Sequence, residues 1–562
     1  MENWQKEVDV LVVGSGNGAF TAAIACHDLA KADVLMVEKS DKFGGTSALS
    51  GGGVWVPNNR YAKAAGADDS YDDALSYLNN TIPEAMVPRS MLETYLKVAP
   101  EMVDFIHSNT RLQYRSLEKY PDYFSDRPGA RNGHRSMEPE PINMDMLGED
   151  MDNFLKGGVM YLLYKYAITQ VEVQILMARP PGWWKLMARL MWDYYTDFSW
   201  LLKHKGYSRR TTGGAAGIIR LMLSLRDRKI PLWLNSPMLE LIREGNSVIG
   251  AVVEHEGKPV RIRARKGVIL ASGGFENNQQ MREEYLPKPT NTRWSAGCKT
   301  NTGDGIRAGL NAGADIALMD NAWWCTTKVL PDRPYPFLSV INKSLPGSIV
   351  VNRSGKRFSN ESQNYITFLK ETFAAHSEEN PCIPGYMIFD NEFRKRRNVW
   401  PMVVPNFMLP KIYFDTGLIA TANTITELAE TLGIDPEGLA QTVERFNGFA
   451  QTGKDLDFHR GDAAYDRYYG DPEFQPNPCL GRIATPPFHA VRLDAGDFGT
   501  QGGLVINEKA QVQDKTGEVI NGLYACGNCT AAVLPTYPGP GSTLGPAMTF
   551  GYQAAKHIAG LL

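Results

Sequence analysis

The amino-terminal forty residues contain the feature that most restricts the possible fold. Residues 8–13 form an apolar run that predicts a buried parallel strand, and residues 20–30 have a helical pattern. Between them residues 14–19 read GSGNGA, and a second apolar run, Val34–Val37, ends at Glu38. This order of strand, glycine turn, helix, second strand and acidic residue is typical of a βαβ dinucleotide-binding unit. The sequence therefore predicts an α/β, Rossmann-like domain.

Each position of this turn has a physical role in the predicted unit. Gly14 permits the tight turn, Gly16 lets the backbone approach a pyrophosphate, and Ala19 is small enough for helix and strand to pack. The amino end of the helix offers free N–H groups and a positive dipole to the phosphates. Glu38 is placed to accept a hydrogen bond from a ribose hydroxyl.

Three further segments favour FAD over NAD as the cofactor. Residues 42–52 read KFGGTSALSGG, a second glycine and serine loop that a longer, fully buried ligand needs. Residues 268–274 (VILASGG) and 522–528 (GLYACGN) are strands that end in small residues, which lets bare backbone reach the ligand. The predicted cofactor-binding residues are Gly14, Ser15, Gly16, Gly18, Ala19, Glu38, Lys39, Gly44, Gly45, Thr46, Ser47, Ser50, Gly51, Gly52, Ala271, Ser272, Gly273, Gly274, Gly527, Asn528, Thr543 and Leu544.

The stretches EKSDKFGGTSALSGGGVW and ASGGF resemble the flavoprotein family of fumarate reductases and ketosteroid dehydrogenases. The resemblance implies a discontinuous FAD-binding domain with an inserted α+β catalytic domain. We place the first part of the FAD-binding domain at residues 1–319, the catalytic domain at 320–496 and the carboxy-terminal return at 497–562. Within the inserted part, residues 425–432 and 436–452 have helical patterns.

The carboxy-terminal loop indicates which chemistry this family member performs. Reductases of C4 dicarboxylates need cationic side chains to pair with carboxylates, whereas residues 537–546, YPGPGSTLGP, carry no charge. This loop and the following AMTFGY closely resemble 3-ketosteroid Δ1-dehydrogenases. Residues 120–124 (YPDYF) and 357–365 (RFSNESQNY) resemble two further motifs of that family.

The resemblance implies four catalytic residues for 1,2-dehydrogenation of a 3-ketosteroid in steroid degradation. The Tyr537 hydroxyl and the Gly541 N–H hold the C3 carbonyl and stabilise enolate charge. Tyr365 takes the proton from C2, and the hydride from C1 goes to flavin N5. Tyr123 supports Tyr365 by hydrogen bonding, because a free phenol with a pKa of about 10 is a poor base. Tyr114 and Tyr120 are alternatives for the role of Tyr123.

Other functions remain open at this stage. A 3-ketosteroid Δ4-dehydrogenase or another flavin oxidoreductase of enones or enoates would share most motifs, because the position on the ring depends on distances that sequence does not give. A membrane flavin electron carrier or lipid-binding protein is a third possibility, although it would not need paired phenols.

Composition excludes several classes of function. A formal net charge of −3 gives no indication of nucleic-acid binding. The nine histidines show no paired metal spacing, so we expect no metal site, and Cys526-x-x-Cys529 has no second pair. No secretory signal or long apolar span is evident, and an odd number of cysteines, seven, argues against a disulfide framework. We therefore expect a cytoplasmic protein with no pyridine-nucleotide site.

Residues 150–210 form an insertion whose composition differs from that of the rest of the chain. Over 154–210 there are nine Lys or Arg against three Asp or Glu, and four tryptophans fall at positions 183, 184, 192 and 200. Basic, tryptophan-rich amphipathic helices lie in membrane interfaces. We expect peripheral attachment to the inner face of the cytoplasmic membrane, with a quinone or another non-pyridine electron acceptor. The alternative is a helical hairpin that covers its own core or contacts another subunit.

Overall fold

The computed structural model describes residues 4–158, 160–162, 165–178, 181–397, 402 and 406–562. Within these ranges the fold is α/β, built around two sheets. The α-helices in the described part of the chain are Asn17–Ala30, Gly45–Leu49, Arg60–Ala64, Tyr71–Thr81, Arg89–Asn109, Gln170–Ala178, Trp183–Thr196, Phe198–Lys203, Gly213–Asp227, Gln279–Tyr285, Asp304–Asn311, Tyr365–Ala375, Asn391–Arg396, Lys411–Asp415, Ile425–Leu432, Pro436–Thr452, Ala464–Tyr468 and Leu544–Ile558. The predicted helices 425–432 and 436–452 are confirmed.

The first sheet contains the predicted βαβ unit. Its central strands are parallel and fully apolar at their carboxyl ends. Val12 pairs with Met36 on one side and with Ile269 on the other. An antiparallel hairpin and the carboxy-terminal strands extend it. In spatial order its strands are Leu232–Trp233, Val34–Val37, Lys6–Val13, Lys258–Leu270, Ser247–His255, Val519–Ala525 and Gln511–Gln513, with Met238–Glu244 paired to Ser247–His255.

The second sheet is antiparallel. Its long strand Phe488–Thr500 pairs with three others and carries apolar side chains into the core. In spatial order the strands are Phe337–Leu338, Ala322–Lys328, Phe488–Thr500, Gly385–Phe389 and Ser348–Val351, with Ile419–Ala422 also paired to Phe488–Thr500. Strand Phe488–Thr500 spans residue 496, so the predicted domain border at 496 lies within a strand. The domain borders at 319 and 496 remain our proposal.

Four small sheets connect the remaining segments. One has three strands, and the other three are two-stranded. Their strands are Val54–Trp55 with Ser136–Pro139 and Tyr114–Ser116, Ile142–Asn143 with Arg210–Thr211, Tyr161–Leu162 with Tyr166–Ala167, and Ile316–Ala317 with Gly503–Leu504.

The carboxy-terminal helix Leu544–Ile558 packs directly on the first helix, Asn17–Ala30. A Cβ on Gly18 would lie 2.9 Å from the carbonyl oxygen of Ala547, and one on Gly551 would lie 2.6 Å from that of Gly18. The two helix backbones therefore touch. This contact brings the amino ends of both helices to the carboxyl edge of the first sheet, where ligands of open α/β sheets bind.

The insertion has ion pairs and a small apolar core of its own. Glu172 forms ion pairs with Arg189, at 2.9 Å, and with Arg210, at 3.0 Å, so that two helices and a strand are joined. Ile168, Leu176 and Leu190 form a separate small core. Among the described residues, no helix has both the length and the apolar character to cross a bilayer.

Candidate active site

A single cavity of about 730 Å³ extends from the glycine turn at residues 14–16 to the tyrosines of the carboxy-terminal loop. All of the predicted cofactor-binding residues except Gly44 and Gly274 line it. Tyr123, Tyr365, Tyr537 and Gly541 line its other part. Segments that are hundreds of residues apart therefore converge on one space.

The end of the cavity at the first sheet fits a dinucleotide. A Cβ on Gly14 would lie 2.3 Å from the carbonyl oxygen of Ala271, so only glycine lets these strand ends meet there. Helix Asn17–Ala30 starts at Gly16 without a side-chain cap, and helix Leu544–Ile558 starts at Thr543 in the same way. Uncapped helix amino ends offer N–H groups and positive potential to phosphates and other electron-rich groups.

Glu38 closes this end of the cavity. Its carboxylate accepts hydrogen bonds from the Ser15 hydroxyl at 2.6 Å and from the Ser40 N–H at 2.9 Å. Burial raises the pKa of Glu38, and these two hydrogen bonds act in the opposite direction. The bonds fix the carboxylate at the carboxyl end of Val34–Val37, the position from which ribose hydroxyls are bound in such folds.

Gly44 and Gly274 do not line the cavity. The Gly44 N–H donates to the Ser15 hydroxyl at 3.1 Å, and a Cβ there would lie 2.8 Å from that of Ala48. A Cβ on Gly274 would lie 2.1 Å from the Thr500 hydroxyl. Both glycines are needed for protein packing next to the site, and their assignment as cofactor contacts stays a prediction.

At the other end of the cavity two phenols share a hydrogen bond. The Tyr123 hydroxyl donates to the Tyr365 oxygen at 3.2 Å, and both side chains are buried. The ring of Tyr537 lies 5.4 Å from that of Tyr123 and 5.8 Å from that of Tyr365, measured between centroids. The three tyrosines therefore form one cluster.

Tyr537 is held in an unusual backbone conformation. Its φ of +62° lies in the left-handed region, which is costly for a bulky side chain. Three hydrogen bonds fix the residues that follow it. The Tyr77 hydroxyl and the Tyr123 N–H donate to the Pro538 carbonyl at 2.6 and 2.9 Å. The Ser136 hydroxyl donates to the Pro540 carbonyl at 2.8 Å. This network keeps the phenol over the cavity.

Gly541 brings its amide beside the Tyr537 phenol. Its φ is +109°, and a Cβ would lie 2.5 Å from the Gly53 carbonyl carbon and the Val54 nitrogen. Burial raises the pKa of Tyr537, while hydrogen bonds from Tyr365 and from the Gly541 N–H act to lower it. The Gly541 N–H and the Tyr537 hydroxyl are therefore neighbours in the cavity wall.

Burial also raises the pKa of Tyr365 and of Tyr123 well above the ordinary value for tyrosine. The hydrogen bond from Tyr123 acts to lower the pKa of Tyr365. At neutral pH the phenols are therefore protonated in the resting site. A base at Tyr365 needs a path by which its proton leaves.

A row of hydrogen-bonded hydroxyls continues from Tyr123 and includes residues that sequence reasoning did not select. The Tyr120 hydroxyl lies 3.4 Å from that of Tyr123 and 2.6 Å from that of Tyr469, and the Gln170 side-chain amide donates to the Tyr469 oxygen at 3.3 Å. Tyr469 belongs to the tyrosine-rich segment YDRYY, whose composition was the available signal.

Of the two alternatives to Tyr123, Tyr120 adjoins the cluster, whereas Tyr114 does not share it. The Tyr114 hydroxyl lies 3.5 Å from the Met548 sulfur, next to the first helix. Of these three candidates, Tyr123 is the one whose hydroxyl is hydrogen-bonded to Tyr365.

Aromatic side chains of the second sheet wall the reaction end of the cavity. The Trp323 indole N–H donates to the Asn528 side-chain oxygen at 3.0 Å, and its ring lies 5.4 Å from that of Tyr537. The ring of Phe498 lies 5.8 Å from that of Tyr365. Sequence reasoning missed both, because an aromatic residue in an apolar strand is typical of ordinary core.

The insertion supplies a further wall. Met160, Ile168, Val173 and Leu176 line the cavity together with residues 333–338. One wall of the cavity is therefore formed by the part of the chain that we expected to contact lipid. Within the described ranges, no group of three His, Cys, Asp or Glu side chains is arranged to hold a metal ion. All seven cysteines are buried free thiols.

Comparisons with known proteins agree with this geometry. A family model described as the FAD binding domain matches residues 9–544. The 3-oxosteroid 1-dehydrogenase of Mycobacterium tuberculosis is 40% identical over 99% of this chain and 98% of its own length. The enzyme of the same name from Mycolicibacterium smegmatis is 40% identical over 99% of this chain and 97% of its own length.

A solved structure is similar over the whole chain. It is the 3-ketosteroid delta1-dehydrogenase of Sterolibacterium denitrificans in complex with 1,4-androstadiene-3,17-dione. The two chains are 43% identical with a TM-score of 0.94, and the match covers 99% of this chain and 100% of the other.

Proposed function

Because this chain belongs to the FAD binding domain family, we propose that it is an FAD-dependent 3-oxosteroid 1-dehydrogenase acting in steroid degradation. It removes hydrogens from C1 and C2 of the first ring of a 3-ketosteroid. The observation that carries this proposal is the meeting of Tyr123, Tyr365, Tyr537 and Gly541 in the cavity whose other end fits a dinucleotide. The identity to named 3-oxosteroid 1-dehydrogenases supports the substrate class.

The substrate carbonyl lies between two donors. The Tyr537 hydroxyl and the Gly541 N–H hold the C3 oxygen and stabilise the negative charge that grows on it as the C2–H bond breaks. Both donors are fixed before substrate arrives, since the loop is hydrogen-bonded at Pro538 and Pro540. A preorganised site of this kind needs little rearrangement in the transition state.

Tyr365 accepts the proton from C2. The hydrogen bond from Tyr123 favours the phenolate form, and Tyr120 and Tyr469 continue the line of phenols towards Gln170. In its phenolate form Tyr365 takes the proton from C2 and becomes a neutral phenol. The aromatic walls at Trp323 and Phe498 exclude water from the ring.

The residues around Gly14, Glu38, Thr46 and the amino end of Leu544–Ile558 would hold FAD. When bound, FAD accepts the hydride that leaves C1.

A Δ4-dehydrogenase or another enone or enoate flavin oxidoreductase is disfavoured by the 40% identity to 3-oxosteroid 1-dehydrogenases. An electron carrier without dehydrogenase activity has no use for a phenol clamp and a buried phenol pair. The deciding experiment is product analysis with androst-4-ene-3,17-dione. A new double bond at C1–C2 supports the proposal, and one elsewhere in the ring system contradicts it. If no 3-ketosteroid bleaches the flavin absorption band under anaerobic conditions, the function as an electron carrier would be favoured.

We further propose that the enzyme attaches peripherally to the inner face of the cytoplasmic membrane and passes electrons to a quinone or another non-pyridine acceptor there. Helix Trp183–Thr196 supports this, because it is apolar on two sides. Leu190 and Tyr194 are buried against the protein, while Trp192, on the outer side, is 71% exposed. The exposed side, here called the outer stripe, continues beyond the helix and consists of Trp184, Met191, Trp192, Tyr195, Phe198 and Leu202.

Substitution in the outer stripe tests the attachment. Trp192→Ser combined with Phe198→Ser should reduce co-sedimentation of the FAD-loaded enzyme with anionic vesicles. Deletion of residues 157–205 would be harder to interpret, because this region lines the cavity. Unchanged sedimentation of the double variant, or no sedimentation of the wild type, would contradict membrane attachment without affecting the proposed reaction.

A further inference from the structure

A carboxyl group that the proposed reaction does not use lies buried behind one wall of the cavity. It belongs to Glu276, which follows strand Lys258–Leu270 and the glycine turn at its end, and whose side chain is fully buried. Its Oε1 accepts a hydrogen bond from the Asn301 amide at 2.7 Å, whereas its Oε2 has no hydrogen-bond partner among the described residues. A buried polar atom without a partner is rare in a folded protein and needs an explanation.

The Glu276 carboxyl also has no counter-ion in the part of the chain that the structure describes. Arg282 pairs with the Asp497 carboxylate at 2.7 Å, and it donates to the backbone carbonyl of Glu276, at 3.1 Å, rather than to its side chain. An ionised carboxylate that is buried without an ion pair is so unfavourable that the group binds a proton instead.

The charged groups around Glu276 bring this proton into the range of neutral pH. Burial and the Asp497 carboxylate raise the pKa of Glu276 to about 7, and the hydrogen bond to Oε1 and the charge of Arg282 act to lower it. Cys298 and Lys299, which precede the amide that binds Oε1, also interact electrostatically with this carboxyl. A further negative charge nearby would favour the protonated form.

Two amide side chains connect Glu276 with the cofactor part of the cavity. The Asn301 amide that binds Glu276 also donates to the Thr46 hydroxyl at 3.1 Å, and Asn301 and Thr46 both line the cavity. On the other side, a Cβ on Gly499 would lie 3.5 Å from Glu276 Oε1 and 2.7 Å from the Asn528 side-chain nitrogen. Asn528 lines the cavity as well. One layer of side chains therefore separates the carboxyl from the space that fits FAD.

From these contacts we propose that Glu276 is a redox-linked proton acceptor, which binds a proton from solvent when FAD is reduced and releases it when FAD is reoxidised. A hydride brings two electrons and one proton to the cofactor, and therefore one negative charge. That charge, on the far side of Asn301, disfavours the ionised form of Glu276, and a solvent proton neutralises the carboxylate. The proton returns to solvent when the two electrons pass to the acceptor.

This inference rests on the proposed function, because there the hydride comes from the steroid, but its test needs no steroid. The flavin midpoint potential of the full-length, FAD-loaded enzyme is measured by spectroelectrochemistry as a function of pH. For a two-electron couple, each proton taken up changes the equilibrium constant tenfold per pH unit, which is about 30 mV per pH unit.

Glu276→Gln removes the titrating group while keeping its shape. Below about pH 7, where the wild-type carboxyl is neutral as well, the potentials of the two proteins should run parallel. Above this pH the wild type should take up one proton more, so that its potential falls below that of the variant by a further 30 mV or so per pH unit. Glu254→Gln, a change of an exposed carboxylate in strand Ser247–His255, is the control and should stay parallel to the wild type throughout.

Two outcomes of this measurement would overturn the inference. The first is a constant offset between Glu276→Gln and the wild type at every pH, which a purely structural role would give. The second is an equal divergence in the Glu254→Gln control. Absence of steroid turnover is a separate result, because it contradicts the dehydrogenase function and leaves the comparison of potentials unaffected.

If Glu276→Gln does not retain FAD, the wild type alone decides the question. Reduced-minus-oxidised infrared difference spectra recorded above pH 7 should show the gain of a carboxylic acid C=O band and the loss of a carboxylate band. Spectra without these two bands would contradict proton uptake by a buried carboxyl.

Discussion

The Tyr123 hydroxyl donates a hydrogen bond of 3.2 Å to the Tyr365 oxygen, although the two residues are 242 positions apart in the chain. The acceptor in this pair is the phenol to which we assign the role of base. A donor aimed at it stabilises the phenolate that deprotonation creates. The direction of this single bond gives the two tyrosines different tasks and makes them separable by experiment.

Replacement of the base should abolish turnover while leaving the protein intact. Tyr365→Phe removes the proton acceptor, and we expect kcat to fall by roughly 10²- to 10⁴-fold. The bound flavin spectrum should be unchanged, because no part of the dinucleotide end of the cavity is altered. Tyr71→Phe, a change in a surface helix, is the matched control and should retain full activity. Substantial turnover by Tyr365→Phe would remove this residue from the base role.

The pH profile should distinguish Tyr123 from a residue that only fills space. Because burial raises the pKa of Tyr365, the fraction of active phenolate, and with it kcat/KM, should increase with pH across the neutral and alkaline range. The hydrogen bond from Tyr123 acts to lower this pKa, so Tyr123→Phe should move the profile to higher pH. A lower rate with an unshifted profile would indicate that Tyr123 only fills space.

Substitution of the two residues that donate to the substrate carbonyl should lower activity by different amounts. Tyr537→Phe removes one donor without disturbing the loop, and a loss of roughly 10²-fold in kcat is expected from the loss of one such donor. Gly541→Ala introduces a Cβ 2.5 Å from the backbone of Gly53 and Val54, in a conformation that alanine rarely adopts. We expect that displacement of the amide costs more activity than the loss of the phenol. A fully active Gly541→Ala variant would exclude its N–H from the clamp.

The contact between the first and last helices should control stability and cofactor retention together. Gly551→Ala places a Cβ 2.6 Å from the Gly18 carbonyl oxygen, and overpacking of this kind costs about 1–3 kcal/mol. Thermal unfolding should occur at lower temperature, and FAD should be released more readily, because the amino ends of both helices reach the cavity. Gly448→Ala is a matched control in an exposed helix, where the Cβ would meet nothing within 4 Å, and it should unfold at the same or a slightly higher temperature.

The parts of this site that could be predicted from sequence are those with local signals. The turn at residues 14–19 and the YPGPG loop each need a particular order of small residues, and that order is visible in one segment. Tyr469 and Trp323 have no such signal, since each lies beside its partner, Tyr120 or Tyr537, only through a contact between distant parts of the chain. Gly44 is a different case, because sequence does not distinguish a glycine required for packing, as Gly44 is, from one that contacts a ligand.

The backbone conformation of Tyr537 is energetically unfavourable, whereas its phenol is needed for the proposed reaction. At φ +62° glycine or asparagine would be at ease, and a tyrosine is not. Glycine or asparagine would avoid this backbone cost, but neither carries the phenol that we assign to holding the ketone. At this position backbone strain and the proposed catalytic role favour different residues, and the sequence has the one that the proposed role requires.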